Sequence, residues 1–245
     1  MVFKMKKITL LFLIMVILSG CQTTGRVHIS STSYGPNYND EDWSETFYTN
    51  CMMPKDSISW KKENNNKFLR FKLKGGQKGG CRIDRRARTG APFWERAEIK
   101  QISGFDKSKK YDVEFLIRFV AGFKGLRENF FQIHQSVVGC RLLPIVMLKV
   151  NYSKIQGDFT PPEKIFNVNQ YLNKWVKFNI ILDFEEGVYS VKINNNDFIQ
   201  ERAFREKFRG CGVPHIKFGI YRPGYVDPYN NTSIIDFDKF QIKEL

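Results

Sequence analysis

Three short segments of this chain carry side chains whose types fit anion binding and proton transfer. They are Arg96-Ala97-Glu98, Gln132-Ile133-His134 and the run from His215 to Tyr221, which contains Lys217. An arginine is a permanent cation with a planar fork of donors, and a glutamine amide donates to the same kinds of oxygen. Histidine titrates near neutral pH and tyrosine carries a hydroxyl proton. The set predicts a site that moves protons next to an anionic group.

Strand geometry would bring these side chains onto one surface. Side chains alternate along a strand, so Gln132 shares a face with His134, and Lys217 shares one with Gly219 and Tyr221. An antiparallel sheet usually packs one face on the core and turns the other to water. We therefore expect the polar residues on a water-facing sheet surface, where Gly219 leaves room for a sugar ring.

Elimination from a uronic-acid polymer is a reaction that an anion-binding group, a base and an acid could carry out together. The C5 proton lies beside a carboxylate, which must be neutralised before a base removes that proton and an acid protonates the leaving oxygen. Arg96 and Gln132 fit the neutralising role, and donors of this kind are worth a few kcal/mol each. His134 fits the base, while Tyr221 fits the acid or both roles. Lys217 would support the phenol or contact the substrate.

The elements that position these residues are strands. Alternating apolar residues occur in 68–73, 111–119, 176–182, 188–193 and 232–242, and 176–193 is expected to form a hairpin. Asn64-Asn65-Asn66 and Asn194-Asn195-Asn196 are predicted turns. Many short antiparallel strands with an aromatic core favour an all-β sandwich or jelly roll, whose concave face would form a groove for a chain-like ligand.

The three motifs, in this order, resemble those of the jelly-roll polysaccharide lyases, a group with a concanavalin A-like fold that includes alginate lyases, heparin lyase I and glucuronan lyase. Gln132-Ile133-His134 matches unchanged, whereas Ala97 stands where the alginate lyases usually have Ser or Thr. His215 and Phe218 also depart from the alginate lyase pattern Tyr-Phe-Lys-Ala-Gly-x-Tyr. The resemblance covers about residue 45 to the end. It implies Arg96 and Gln132 as neutralisers, His134 as base and Tyr221 as acid or as both acid and base. We expect no cofactor and no metal.

Further residues are candidates for substrate contact. His215 is either a substrate contact or a surface residue at a strand end, and Trp94 either stacks on a sugar or packs on the sheet. Glu98 is expected to orient a basic neighbour. The candidate substrate-binding residues are Lys217, His215, Arg222, Arg85, Arg86, Arg88 and Trp94. Two alternatives stay open for the three arginines of the 85–88 loop: they bind acidic groups of the substrate, or they are solvated.

The N-terminus has the pattern of a bacterial lipoprotein signal. Basic residues precede an apolar stretch from Ile8 to Leu18, which is too short to span a bilayer comfortably, and Leu18-Ser19-Gly20-Cys21 resembles a lipobox. This predicts removal of 1–20 and lipidation of Cys21, which anchors the chain to a membrane. Gln22 favours an outer-membrane address in a two-membrane cell. Residues 21–42 are interpreted as the lipidated cysteine and a flexible tether, and 43–245 as one lyase domain.

The net charge indicates the class of partner, and the cysteine count bears on disulfide formation. Cleavage of the signal would remove three lysines and leave 36 basic against 25 acidic residues, about +11, which favours a polyanionic partner. An acidic polysaccharide suits the cell envelope better than nucleic acid, and anionic lipid head groups are the alternative. Up to two disulfides are expected in an exported chain, with connectivity open. Their candidates are Cys51, Cys81, Cys140 and Cys211, whose spacing does not suggest a zinc site.

Two other functions compete with the lyase. A non-catalytic, lectin-like module would bind acidic glycans at the cell surface, yet it would not need His134 and Tyr221 together. A glycoside hydrolase needs paired carboxylates on one strand face. Asp112 and Glu114 share their face with Leu116 and Arg118 without a second acid in register, which argues against hydrolysis. A monomeric lyase is the leading prediction.

Overall fold

The structure, a computed structural model, describes residues 47–48, 53, 56–76, 84, 94–101, 103–135, 144–157, 164–205, 212–224 and 232–245. In chain order the strands are β1 (Phe47–Tyr48), β2 (Ile58–Glu63), β3 (Asn66–Lys74), β4 (Trp94–Gln101), β5 (Lys110–Phe119), β6 (Glu128–Gln135), β7 (Val146–Asn151), β8 (Lys154–Gly157), β9 (Trp175–Asp183), β10 (Val188–Ile193), β11 (Asn196–Ala203), β12 (Pro214–Pro223) and β13 (Thr232–Glu244). A 3-10 turn spans Val168–Tyr171. In these ranges no helix is long and apolar enough to cross a membrane.

Within the described residues the strands form two antiparallel sheets. One has six strands in the order β1-β4-β12-β6-β7-β8, and the other has seven in the order β11-β10-β9-β5-β13-β3-β2. The predicted all-β sandwich of jelly-roll type is confirmed. Strands β4, β12 and β6 are neighbours inside the six-stranded sheet although they are far apart in sequence.

Phenylalanine side chains hold the two sheets together. Phe218 on β12 packs on Phe71, Phe237 and Phe240 of the opposite sheet, with ring centroids 4.7 to 5.6 Å apart. Phe131 on β6 stacks on Phe115 at 5.4 Å. These rings are fully or almost fully buried, and burial of one such side chain is worth about 1.5–3 kcal/mol. The inner face of β6 and β12 is thereby fixed in place, and their other face holds the polar residues.

Two hairpins turn on asparagine pairs. Asn64 and Asn65 have φ of 48° and 62°, and they connect the paired residues Glu63 and Asn66. Asn194 and Asn195 have φ of 50° and 64° between β10 and β11. Asparagine tolerates the left-handed region, which two-residue hairpin turns require at both central positions. Both predicted turns are confirmed, as is the hairpin of β9 and β10.

Candidate active site

The polar residues of the three motifs meet on the outer face of the six-stranded sheet. Each motif lies on one of the adjacent strands β4, β12 and β6, and cross-strand register brings the motifs side by side. The directly opposed pairs are Lys217 with Gln132, His215 with His134, and Tyr221 with Arg96. The sequence prediction that these segments form neighbouring strands with one shared polar face agrees with this register.

This face is not the solvated surface that alternation predicted. Arg96 is 5% exposed, Gln132 3%, His215 5% and Lys217 9%, and His134 is half-buried. Arg96 forms ion pairs with two carboxylates, Gln132 donates a hydrogen bond to one of them, and the rings of His134 and His215 are neighbours. The expectation of an open, water-facing sheet surface is therefore wrong for these positions.

Arg96 is held by two carboxylates. Its Nε and one terminal nitrogen donate to the two oxygens of Asp84, both at 2.9 Å, and its other terminal nitrogen donates to Glu98. Burial alone would lower the pKa of the guanidinium, but the charges of Glu98 and Asp84 outweigh that and raise it. Glu98 thus orients a basic neighbour, as predicted. The sequence did not reveal Asp84, because no strand pattern links it to β4.

Gln132 is joined to the same network. Its Nε2 donates to Glu98 at 2.7 Å. An arginine has five N–H groups and a glutamine amide has two, and the bonds within the described residues use three of the first and one of the second. Two N–H groups of Arg96 and one of Gln132 therefore have no hydrogen-bond partner among the described residues.

Tyr221 is packed between two side chains of β4. Its ring stacks on Trp94 with centroids 4.7 Å apart and planes 21° apart, and the guanidinium carbon of Arg96 lies 4.0 Å from its ring centroid. A cation over a phenol face is attracted to it, so these contacts set the position of the ring. Trp94 was a candidate sugar platform, and one face of its ring is instead taken by Tyr221.

The two histidines are neutral at ordinary pH. Burial, followed by the charges of Lys217 and His215, lowers the pKa of His134 from 6.5 to about 3. Burial likewise lowers the pKa of His215 to about 4. Their ring centroids are 5.9 Å apart. His134 Nδ1 and His215 Nε2 are buried and have no hydrogen-bond partner in the described part of the chain.

Lys217 adds a second cation to this group. Burial lowers the pKa of its amine, and the nearby charges of Arg96 and Lys100 lower it too, while the charge of Glu98 raises it. The group therefore contains Arg96 and Lys217 against Asp84 and Glu98. We call these four residues, together with Gln132, His134, His215 and Tyr221, the outer cluster.

Arg222 does not belong to this face, and its predicted substrate contact is wrong. It lies on the core side of β12, where it is 3% exposed and bonds to Glu95 at 2.5 Å, Glu128 at 2.6 Å and Ser233 at 2.9 Å. Alternation explains the position, because Arg222 follows Tyr221 directly and so points the other way. We call Arg222, Glu95, Glu128 and Ser233 the inner cluster.

The backbone at Gly219 leaves no room for a side chain, and the expected approach of a sugar ring on the outer face stays a prediction. The φ of Gly219 is +131°, and a Cβ there would lie 2.3 Å from the carbonyl oxygen of Ala97 and 2.8 Å from the ring of Phe71. The space that a side chain would need is thus occupied by β4 and the core. Glycine is required here by the backbone, at an irregularity in the pairing of β12 with β6 between Phe218 and Tyr221.

Asn129 is a neighbour of the site that the sequence did not suggest. It pairs with Tyr221 on one side and Lys149 on the other, and is 8% exposed. Simple alternation from Gln132 would put Phe130 on the outer face, but Phe130 packs on core rings. A register shift between Asn129 and Phe131 reverses the pattern.

Several predicted residues lie outside the described ranges. They are Cys21, Arg85, Arg86, Arg88 and the four cysteines Cys51, Cys81, Cys140 and Cys211. The signal segment and the tether also lie outside them. Among the side chains that the structure does describe, no group of three or more His, Cys, Asp and Glu residues is placed to hold a metal ion.

Solved structures of polysaccharide lyases share this fold. Family 7 alginate lyase A1-II′, solved as a His-to-Asn and Tyr-to-Phe variant in complex with the substrate GGMG, is 12% identical over 79% of this chain and 83% of its own, with a TM-score of 0.56. Endo-β-1,4-glucuronan lyase from Trichoderma reesei is 12% identical over 76% and 85%, with a TM-score of 0.55. Alginate lyase PA1167 from Pseudomonas aeruginosa is 15% identical over 78% and 87%, with a TM-score of 0.53. At identities this low, the structural likeness shows a common fold and nothing more.

The N-terminus matches a family model. Residues 5–22 match the prokaryotic membrane lipoprotein lipid attachment site. No curated protein matches the chain in sequence. The match covers residues 5–20 of the predicted signal together with Cys21, and it supports a lipid-anchored protein of the bacterial envelope.

Proposed function

We propose that this chain is a lyase that cleaves a uronic-acid-containing acidic polysaccharide by β-elimination. The observation that carries the proposal is the cross-strand arrangement of Arg96, Gln132, His134 and Tyr221 on three adjacent strands. One face of one sheet thereby holds anion donors, a neutral imidazole and a phenol. These are the three chemical functions that elimination next to a carboxylate needs.

The remaining N–H groups of Arg96 and Gln132 would bind the substrate carboxylate. Withdrawal of charge from that carboxylate stabilises the enolate that forms when C5 loses its proton. Asp84 and Glu98 hold both donors in place before substrate arrives, so no reorientation is needed during the reaction.

His134 would take the C5 proton. A free imidazole with a pKa of about 3 is always available as a base near pH 7, but it holds a proton weakly. A bound uronate brings a negative charge next to the ring and raises its pKa towards neutrality. The substrate thus improves the base that acts on it.

Tyr221 would give a proton to the departing glycosidic oxygen. A phenol is a proton donor at neutral pH, and contacts with Trp94 and Arg96 fix the ring beside the carboxylate donors. Lys217, a buried cation on the same strand face, stabilises negative charge that develops there.

The fold shared with alginate and glucuronan lyases supports the proposal, and so does the basic charge of the chain. The proposed substrates are therefore polyuronates such as alginate or glucuronan, with heparan-type chains a further class to test. We also propose lipidation at Cys21, with residues 43–245 as one monomeric domain. For a cell with two membranes we propose the outer membrane as its address, because Gln22 follows Cys21.

A lectin-like glycan-binding module is the second candidate. The charge balance of the outer cluster favours it, because Arg96 and Lys217 are matched by Asp84 and Glu98. With this balance a bound carboxylate meets less net positive charge than in a site without the acids. Such a site would bind glycans through hydrogen bonds without strong activation of C5.

A substrate panel separates the two. The mature protein is incubated with alginate, glucuronan and heparan sulfate, and the unsaturated uronate product is followed by ultraviolet absorbance. A lyase yields this product, and Tyr221→Phe abolishes turnover while binding persists. Binding without product from any polyuronate would reject the lyase in favour of the lectin-like module.

A further inference from the structure

The ring of His215 has one nitrogen with a defined partner and one without. Nδ1 lies 3.0 Å from the backbone oxygen of Val213. A carbonyl oxygen only accepts hydrogen bonds, so Nδ1 must carry the proton. Because burial lowers the pKa of this imidazole to about 4, the ring is neutral at pH 7. Nε2 is then an unprotonated acceptor.

That acceptor is buried beside the proposed base. His215 is 5% exposed, and its Nε2 has no hydrogen-bond partner among the residues that the structure describes. A buried acceptor without a donor costs free energy that a hydrogen bond would recover. Directly opposite lies His134, whose ring centroid is 5.9 Å away. A donor that reaches His215 is therefore close to the group that reacts.

The described neighbours do not supply this donor. The cationic amine of Lys217 is on the same strand face, two residues along β12, but no hydrogen bond joins it to the ring. Gln132 donates one amide N–H to Glu98, and no hydrogen bond joins its other N–H to the ring of His215. A sugar ring bound for C5 proton removal presents secondary hydroxyl groups, which are donors of the required kind.

We propose that His215 Nε2 accepts a hydrogen bond from a secondary hydroxyl group of the bound uronate chain, and so selects units that carry this hydroxyl. The inference rests on the proposed function for the identity of the ligand. His215 is then a specificity-determining residue and does not move a proton. Sugars that are deoxygenated or blocked at this hydroxyl would bind poorly.

The test combines a change in the protein with a change in the ligand. A 1,4-linked uronate oligosaccharide and its 2-deoxy and 3-deoxy analogues are titrated by calorimetry into Tyr221→Phe, which binds without turnover. We expect one deoxy analogue to bind about tenfold more weakly, as for the loss of one buried hydrogen bond. In Tyr221→Phe with His215→Phe, parent and analogue should bind equally, because the acceptor is gone. His215→Gln, which keeps an acceptor, should retain part of the difference.

A spectroscopic measurement covers the case in which His215→Phe does not fold. The ¹⁵N shifts of His215 in the Tyr221→Phe protein should show a protonated Nδ1 and a bare Nε2, and Nε2 should shift upfield when the oligosaccharide is added. An unchanged Nε2 signal in the bound state, or equal binding of all three ligands, overturns the inference.

The outcomes separate this inference from the proposed function. If the native chain yields no unsaturated product but still discriminates between parent and deoxy analogue through His215, the lyase fails and the hydroxyl contact stands. If product forms but His215→Phe leaves the discrimination intact, the lyase stands and the hydroxyl contact fails. Absence of any binding rejects both.

Discussion

The outer and inner clusters place an arginine between two carboxylates on opposite faces of the same pair of strands. Arg96 lies opposite Tyr221, and the next cross-strand pair is Glu95 with Arg222. Both arginines are 5% exposed or less. Each arginine carries one positive charge against two carboxylates, and the clusters differ in what offsets the charge of the second carboxylate. On the outer face it is another cation, Lys217, whereas on the inner face burial raises the pKa of Glu128, although Arg222 and Ser233 lower it.

This difference separates binding chemistry from structural support. Within the described residues, the outer cluster retains N–H groups of Arg96 and Gln132 and ring nitrogens of His134 and His215 that have no hydrogen-bond partner. The inner cluster instead connects β12 to β4, β6 and β13 through Arg222 and its three partners. Burial by itself does not tell the two apart. Nor does an unpartnered atom alone, because Glu128 Oε2 in the inner cluster also lacks a hydrogen-bond partner among the described residues. What distinguishes the inner cluster is that one buried arginine joins four strands across both sheets.

Removal of Arg222 should have the largest effect on folding. Arg222→Met leaves the carboxylates of Glu95 and Glu128 buried without their cation, which typically costs about 3–5 kcal/mol. Urea denaturation followed by circular dichroism measures this loss. The matched control is Lys109→Met, because Lys109 forms an exposed pair with Glu244, and such pairs are worth about 0–1 kcal/mol. Equal losses in the two variants would show that the inner cluster does not support the fold.

Removal of Arg96 should act mainly on catalysis. Arg96→Met takes away the main carboxylate donor, and loss of one such group typically lowers turnover about 10²–10³-fold. Lys217 remains near Glu98, so we expect a smaller loss of stability than for Arg222→Met. Turnover on the active polyuronate and urea denaturation are measured for both variants. The distinction between the clusters is wrong if Arg96→Met costs more stability than Arg222→Met.

Gly219→Ala tests the backbone that separates the two faces. A residue held at φ +131° is strained, and its Cβ would meet Ala97 and Phe71, so we expect a loss of about 1–3 kcal/mol. Gly122→Ala is the control, since Gly122 has φ +90° but no atom within 4 Å of the added carbon. Thermal unfolding should rank Gly219→Ala as the less stable variant. The reverse order would show that the close contacts at β12 carry no cost.

The two clusters should give stability opposite dependences on pH. The pKa of Glu128 is raised in the fold, so above 4.5 the folded chain keeps a proton that the unfolded chain loses, and rising pH destabilises the fold. The pKa of His134 falls to about 3, so between 6.5 and 3 the unfolded chain binds a proton that the folded chain does not, and falling pH destabilises it.

Urea denaturation from pH 4 to pH 8 checks both signs. Relative to the native chain, Glu128→Gln should gain stability as the pH rises, and His134→Gln should gain it as the pH falls. The difference changes by at most about 1.4 kcal/mol per pH unit for one proton. Parallel profiles for native chain and variant would rule out the corresponding shift.

The sequence predicted the outer face of β12 well, because alternation needs only local geometry. His215, Lys217 and Tyr221 follow alternation. The same rule places Arg222 on the inner face, although it was a candidate for substrate contact. Asn129 was not predictable, since the register shift on β6 depends on how its neighbours pair. Asp84 was not predictable either, because only the tertiary fold brings it to Arg96, 12 residues later.

The bond from Arg222 to Ser233 also has a mechanical consequence. Phenylalanine packing holds the two sheets together through burial, a driving force without a directional preference of its own. A hydrogen bond from a guanidinium on one sheet to a hydroxyl on the other is directional and fixes their relative alignment. Tyr221 directly precedes Arg222 on the same strand. The buried bond therefore also fixes the position of the phenol, which lies on the opposite face of the sheet.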